Sequence, residues 1–158
     1  MKVLLVCSAG GHFSTCYQLR PFWQNHDPVW VTFRTPTTET SLKDEKVYWA
    51  WSPTNRNLPN LVRNFFLSWK VLRREKPDVV ISTGAGVSVP FLFLAWVLGS
   101  QTIFVESITR VTDLSLSAKL ALPFLQVIYV HWEQLQIRYP KAELIMPLCD
   151  SSPNPDPL

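Results

Sequence analysis

His12 stands directly behind a glycine pair, in the run CSAGGH at residues 7–12, where an apolar stretch from Val3 to Val6 gives out. An unperturbed imidazole titrates near ~6.5, so at such a turn it suits a general base or a charge partner for phosphate. Glu106 closes another apolar stretch, TIFVES, where a carboxylate requires solvent or a polar partner. It can position a hydroxyl there, or pair with Arg110. Ser8, Gly10 and Gly11 in the first turn, and Thr83, Gly84 and Gly86 in a second (STGAGVSVP), each join an apolar run to a helical pattern. Glycines in such a turn bring backbone N–H groups close to a ligand, and the helix N-terminus that follows suits a phosphate or diphosphate. The first turn lacks the full GxGxxG spacing of a dinucleotide fingerprint. No GxxxxGK loop and no GxSxG elbow is present, which removes the usual ATPase reading and weakens a serine hydrolase.

Such residues need strand ends to hold them. Apolar runs at Val29–Phe33, Val47–Trp51, Val79–Thr83, Thr102–Ser107 and Gln126–Val130, with AELIM near the end, read as strands. They alternate with helical patterns, which predicts an α/β open parallel sheet wrapped by helices. Ligands in such sheets bind at the carboxyl ends of the strands, where both glycine turns, Glu106 and His131 fall. Between them, Arg34 to Asp44 is polar and Thr-rich and reads as a mobile surface loop or lid. Leu61 to Lys76 carries an apolar stripe of Leu61, Phe65, Trp69 and Leu72, widened by Val62 and Phe66, beside a basic side of Arg63, Lys70, Arg73 and Arg74. That pattern suits a crossover helix packed on the sheet with its charges outside, or a membrane-surface element. The helix ending before Gly99 is apolar all round, so it is buried or held at an interface. Residues 1–148 read as one domain. Residues 149–158, rich in Pro and Ser, read as a tail that stays disordered unless a partner orders it.

Composition narrows the function classes. The 158 residues are enough for one domain with a substantial core, and a formal charge of +3 is far from the concentrated basic face of a nucleic-acid binder. Cys7, Cys16 and Cys149 have no CxxC spacing and no ligand-spaced His, so they read as reduced thiols with no metal site. The longest apolar run, Val89 to Leu98, is about half the ~20 residues of a membrane span.

Four motifs taken in order resemble one family. They are CSAGGH, DVVISTGAGVSVP, FVESITRVTDLSLSAKL and VIYVHWEQLQIRYPKAEL, spread from Lys2 to about Pro147. The family is that of the Alg-fourteen-type subunits of the two-part N-acetylglucosaminyltransferase of lipid-linked oligosaccharide synthesis, with similar bacterial exopolysaccharide and capsule glycosyltransferase subunits. More distantly, the chain is similar to the N-terminal half of the peptidoglycan lipid-intermediate N-acetylglucosaminyltransferase. The resemblance implies a Rossmann-like domain, the N-terminal-type half of a GT-B glycosyltransferase split over two polypeptides. It implies transfer of a sugar, N-acetylglucosamine first, from a UDP-sugar to a polyprenyl-diphosphate-linked acceptor, with no metal or other cofactor. This chain would be the acceptor-side, membrane-associated half, and a donor-binding glycosyltransferase subunit its heterodimer partner. His12 falls at the base position and Glu106 at an acceptor-side acidic position. Ser8, Gly10, Gly11, Thr83, Gly84 and Gly86 fall on the loops that face the lipid diphosphate. Eukaryotic members begin with a membrane anchor whereas this sequence opens on a strand. The expectation is therefore a bacterial-type member held peripherally on the cytoplasmic face of the membrane through Leu61–Lys76 and Trp96. A non-catalytic scaffold for the catalytic subunit and a generic nucleotide-binding α/β module are the competing readings.

Overall fold

The computed structural model describes residues 1–54 and 57–145; Cys149 and the tail expected at 149–158 lie outside the described residues. Strands β1 (Lys2–Cys7), β2 (Asp27–Phe33), β3 (Lys46–Ala50), β4 (Val79–Gly84), β5 (Gln101–Val105), β6 (Val127–Val130) and β7 (Ala142–Leu144) form one sheet. Its order is β3-β2-β1-β4-β5-β6-β7, with every neighbouring pair parallel. Helices α1 (Gly11–Gln18) and α2 (Arg20–Trp23) follow β1, α3 (Pro36–Ser41) follows β2, and α4 (Leu58–Glu75) leads from β3 to β4. Helices α5 (Ser88–Val97), α6 (Leu116–Ala121) and α7 (Glu133–Arg138) complete the alternation.

The strands at the centre are continuous apolar runs because both faces are covered. Along β1 successive side chains alternate: Leu4 and Val6 pack with Val80, Phe91, Leu92 and Phe104, while Val3, Leu5 and Cys7 pack with Phe13, Cys16, Trp23 and Trp30. The all-round apolar helix α5 is largely sunk into the first of these layers, and its end exposes Trp96, Val97 and Leu98. It stops at Gly99, whose φ of +85° allows a Schellman cap in which Ser100 N–H donates to the Ala95 carbonyl and Gly99 N–H to that of Trp96.

The chain runs outward from β1 to β3, returns through α4 to β4, and then runs the other way. The strand order therefore reverses between β1 and β4. A crevice opens beyond the carboxyl ends of the strands at that point, because the connections leaving β1 and β4 diverge to opposite sides.

Two expectations are corrected. Residues 36–41, expected to be a mobile loop or lid, form α3. Thr35 and Thr38 cap one another there, Thr35 Oγ1 accepting from Thr38 N at 3.2 Å and Thr38 Oγ1 from Thr35 N at 3.0 Å, with Pro36 in the first turn. Buried Thr38 and Leu42 tie the segment to the body of the domain.

Helix α4 departs more sharply from the expected packing. The stripe Leu58, Leu61, Val62, Phe65, Phe66 and Trp69 faces outward, and the face turned to the sheet edge begins with Asn60, Asn64 and Ser68. Those polar groups are matched one by one. Asn64 accepts from Trp51 N and donates to Trp51 O, both at 2.9 Å, and Asn60 donates to Pro53 O at 2.9 Å. Val71 and Leu72 then enter the core, and Glu75 closes the helix among Lys2, Lys46 and Tyr48.

Candidate active site

The register of β1 against β4 slips by one residue at their carboxyl ends: Val6 pairs with Ser82, but Cys7 pairs with Gly84. Thr83 is the extra residue of this bulge, and a bulge re-aims the side chain it carries. Thr83 Oγ1 donates to the His12 carbonyl at 2.6 Å, and His12 Nδ1 lies 2.7 Å from the Thr83 carbonyl. A carbonyl only accepts, so Nδ1 carries the proton, and the neutral ring keeps its lone pair on Nε2. Gly84, at φ +121°, makes room for that ring, since a Cβ there would lie 2.8 Å from His12 Cε1. Ala85 follows at φ +76°, a left-handed conformation that costs an alanine about 1–2 kcal/mol. Strain of this kind is concentrated at binding turns.

His12 lines a cavity of about 620 Å³ beyond the ends of β1, β4 and β5. Ser8, Gly86 and Glu106 line it too, as do Ser52, Thr54, Thr109 and Arg110. The residues expected from the sequence thus separate into groups. Ser8, His12, Gly86 and Glu106 reach the cavity wall, whereas Thr83 and Gly84 stand behind His12 and fix its ring. Gly10 and Gly11 open α1, with Gly10 at φ +75° and bordering an adjoining hollow beside Phe13 and Thr38. His131, at the end of β6, is outside this lining. The first-turn N–H groups of α1 have no intrahelical acceptor, and no acidic side chain occupies that turn. An anion would meet a favourable field there. Among the described residues no group of three His, Cys, Asp or Glu side chains is placed to hold a metal ion.

Glu106 is 1% exposed, and neither oxygen is free of a partner. Oε1 accepts from Ser107 N and Oε2 from Ser115 N, both at 2.8 Å, so one carboxylate closes the two ends of the 107–115 loop. The loop is tied again along its length: Trp132 Nε1 donates to Ile108 O at 2.7 Å and Arg138 to Thr112 O at 3.1 Å. Asp113 accepts from Lys119 and Tyr139, and these hydrogen bonds hold its carboxyl at about 2, below the ordinary 3.8. The expected alternative of a Glu106–Arg110 pair is not formed; no ion pair joins them. Ser52 and Thr54 were not singled out from sequence, because no motif marks their loop. Thr109 and Arg110 lie inside the motif FVESITRVTDLSLSAKL, but there Arg110 reads only as a partner for Glu106, and the fold is what brings all four to the cavity.

A family model described as oligosaccharide biosynthesis protein Alg14 like matches residues 52–148, a shorter stretch than the motifs alone suggest. The UDP-N-acetylglucosamine transferase subunit ALG14 of Yarrowia lipolytica is 35% identical over 86 residues, 51% of this chain and 40% of that protein. The human protein of the same name is 32% identical over 106 residues, 63% of this chain and 48% of that protein. The chain thus spans less than half the length of these curated relatives. Among solved structures, MurG of Acinetobacter baumannii superposes with a TM-score of 0.63 at 18% identity, over 82% of this chain and 41% of that one. That likeness establishes the fold, a Rossmann-like half of the GT-B type.

Proposed function

The chain belongs to the family of Alg14-like oligosaccharide biosynthesis proteins, and from that membership we propose that it is the acceptor-side subunit of a two-component glycosyltransferase. The complex moves a sugar, N-acetylglucosamine first, from a UDP-sugar to a polyprenyl-diphosphate-linked acceptor. The observation that carries the reading is His12. Its tautomer is fixed by Thr83, and its ring lines a cavity at the reversal of the strand order. In the proposed reaction an acceptor hydroxyl gives its proton to His12 Nε2 and its oxygen bonds to the anomeric carbon of the donor. The bond from that carbon to the UDP oxygen breaks, and the electron pair leaves on UDP. Ser8 and the amides around Gly10 and Gly11 hold the acceptor diphosphate, with the turn through Thr83, Gly84 and Gly86 shaping the opposite wall. Backbone N–H groups and a helix N-terminus can carry this charge without a metal.

The donor pocket belongs to a partner subunit in this reading, which is supported by relatives that are named as subunits of a UDP-N-acetylglucosamine transferase. In the same reading, attachment to the cytoplasmic face of the membrane is peripheral and runs through the outward apolar stripe of α4, with exposed Trp96 at the end of α5 as a second contact. No helix of the described residues is long and apolar enough to cross a bilayer.

Pull-down of the tagged chain from its host in mild detergent, followed by a transfer assay on the recovered complex, tests the proposal. A stoichiometric second subunit is expected, with transfer from UDP-N-acetylglucosamine to a polyprenyl-diphosphate sugar. His12→Ala should lower that transfer by about 10²-fold or more, the usual contribution of a general base. A chain recovered alone, or transfer untouched by His12→Ala, would overturn it.

A further inference from the structure

Of the described residues that line the cavity, three carry titratable side chains: His12, Glu106 and Arg110. The Glu106 carboxylate is fully occupied by the amides of Ser107 and Ser115, and His12 is tied to Thr83. Arg110 differs from both. Its guanidinium makes no ion pair and no side-chain hydrogen bond among the described residues, although Asp113, three residues on, gathers Lys119, Arg138 and Tyr139. The loop that bears Arg110 is nonetheless one of the most heavily fastened segments near the site. Glu106 clamps both its ends, Trp132 and Arg138 hold its carbonyls, and a turn from Ser107 O to Arg110 N shapes its first part. A rigidly held loop that presents one unpaired cation to a cavity rich in hydroxyls is built to receive an anion. A guanidinium offers a planar fork of donors that matches two phosphate oxygens at once.

We propose that Arg110 is the diphosphate-recognising cation of this cavity and that Glu106 is the positioning residue that holds it in place. The assignment rests on the acceptor-side reading and gives that site its charge recognition. The ligand is a diphosphate ester; its prenyl substituent follows from the acceptor-side reading, and exposed Leu116 is an apolar side chain of the lining open to it.

The test is an NMR titration of the whole ¹⁵N-labelled chain with geranyl diphosphate and, separately, with UDP, at low salt. Geranyl diphosphate should shift the amides of Gly10, Gly11 and Gly84 together with the Arg110 side chain. Loss of one charge-assisted fork in Arg110→Ala should weaken it by about 10- to 100-fold, with Arg110→Lys between. Glu106→Gln should weaken binding in the native background and have no further effect once Arg110 is alanine, a coupling that a merely structural role would not show. Arg110→Ala binding as tightly as the native chain, with the glycine-turn amides still shifting, overturns the Arg110 assignment and leaves the diphosphate site standing. UDP bound more tightly than geranyl diphosphate through Arg110 overturns the prenyl assignment. No shift at either glycine turn of the native chain overturns the diphosphate reading itself.

Discussion

Three alterations on one face of α4, Leu58→Ser, Val62→Ser and Phe66→Ser, should detach the protein from membranes without unfolding it. These side chains are 72%, 50% and 66% exposed, so the fold draws little from them. Complete burial of a Leu, Val or Phe side chain is worth about 1.5–3 kcal/mol. Scaled by the exposed fractions, docking the face into a headgroup region gains about 1–2 kcal/mol per residue, or roughly 3–5 kcal/mol for the three together. At 1.4 kcal/mol per decade that is a fall of about two to three and a half orders of magnitude in vesicle partitioning. Arg63, Lys70, Arg73 and Arg74 are exposed on the same helix, and each basic residue near an anionic surface adds about 1 kcal/mol that salt screens. The assay is flotation with vesicles containing a third anionic lipid, at two salt concentrations, beside urea unfolding of the same samples. The native chain should float, less so at high salt, and the triple variant should stay behind while unfolding within about 0.5 kcal/mol of native, as surface changes do. A triple variant that floats like the native chain, or a native chain indifferent to vesicles, would refute the assignment of this face to the bilayer.

Three further outcomes follow from the packing. Burial alone would raise the Glu75 carboxyl, but hydrogen bonds from Lys46, Tyr48 and Lys2 outweigh it and hold the group at about 2, below the ordinary 4.5. A depressed folded-state value means that the contribution is fully present above about pH 4.5 and is lost as pH falls towards 2. Glu75→Gln should therefore flatten the fall of the urea midpoint across that window, and an unchanged slope would count against the network. Gly84→Ala meets both a φ of +121° and a contact of 2.8 Å with His12, so it should destabilise by about 1–3 kcal/mol and displace the ring. Gly86→Ala, at 3.3 Å from the Thr54 side chain and without a left-handed φ, should be milder in both thermal unfolding and transfer.

Strand positions were legible because burial on both faces leaves an unbroken apolar signature; the runs at Val3–Val6, Val29–Phe33 and Val79–Thr83 each lie within a strand. Helix α3 was hidden by its composition. Threonine is a poor helix former, and its cap uses a second Thr where the usual signature has Glu or Gln, so the signal lay only in Thr35-Pro36 and the spacing to Thr38. Helix α4 was found but its packing was misread, since an apolar stripe ordinarily faces the core. The overriding fact is tertiary. Trp51 and Pro53 present backbone groups at the edge beside β3, and Asn60 and Asn64 supply the matching donors and acceptor, which hydrocarbon side chains cannot do. Once those polar residues are turned inward, the helical period forces Leu58, Leu61, Val62, Phe65, Phe66 and Trp69 to the outside.

The site was legible to the extent that its parts sit beside motifs. His12 and Glu106 both reach the cavity, but proximity in sequence says nothing of what their polar atoms touch. For His12 the missing information is a bulge. One surplus residue on β4 turns Thr83 toward α1, and the exchange of hydrogen bonds between Thr83 and His12 then decides which ring nitrogen holds a proton against a carbonyl and which is left without that partner. For Glu106 it is the length of the following loop, which returns Ser115 N to the same carboxylate that already holds Ser107 N. A strand-end acid that looks free in the sequence is thus saturated by backbone in the fold. Arg110, the alternative partner for that acid, is left facing the cavity. Deleting that clamp and deleting that cation are therefore different experiments, and only the fold distinguishes them.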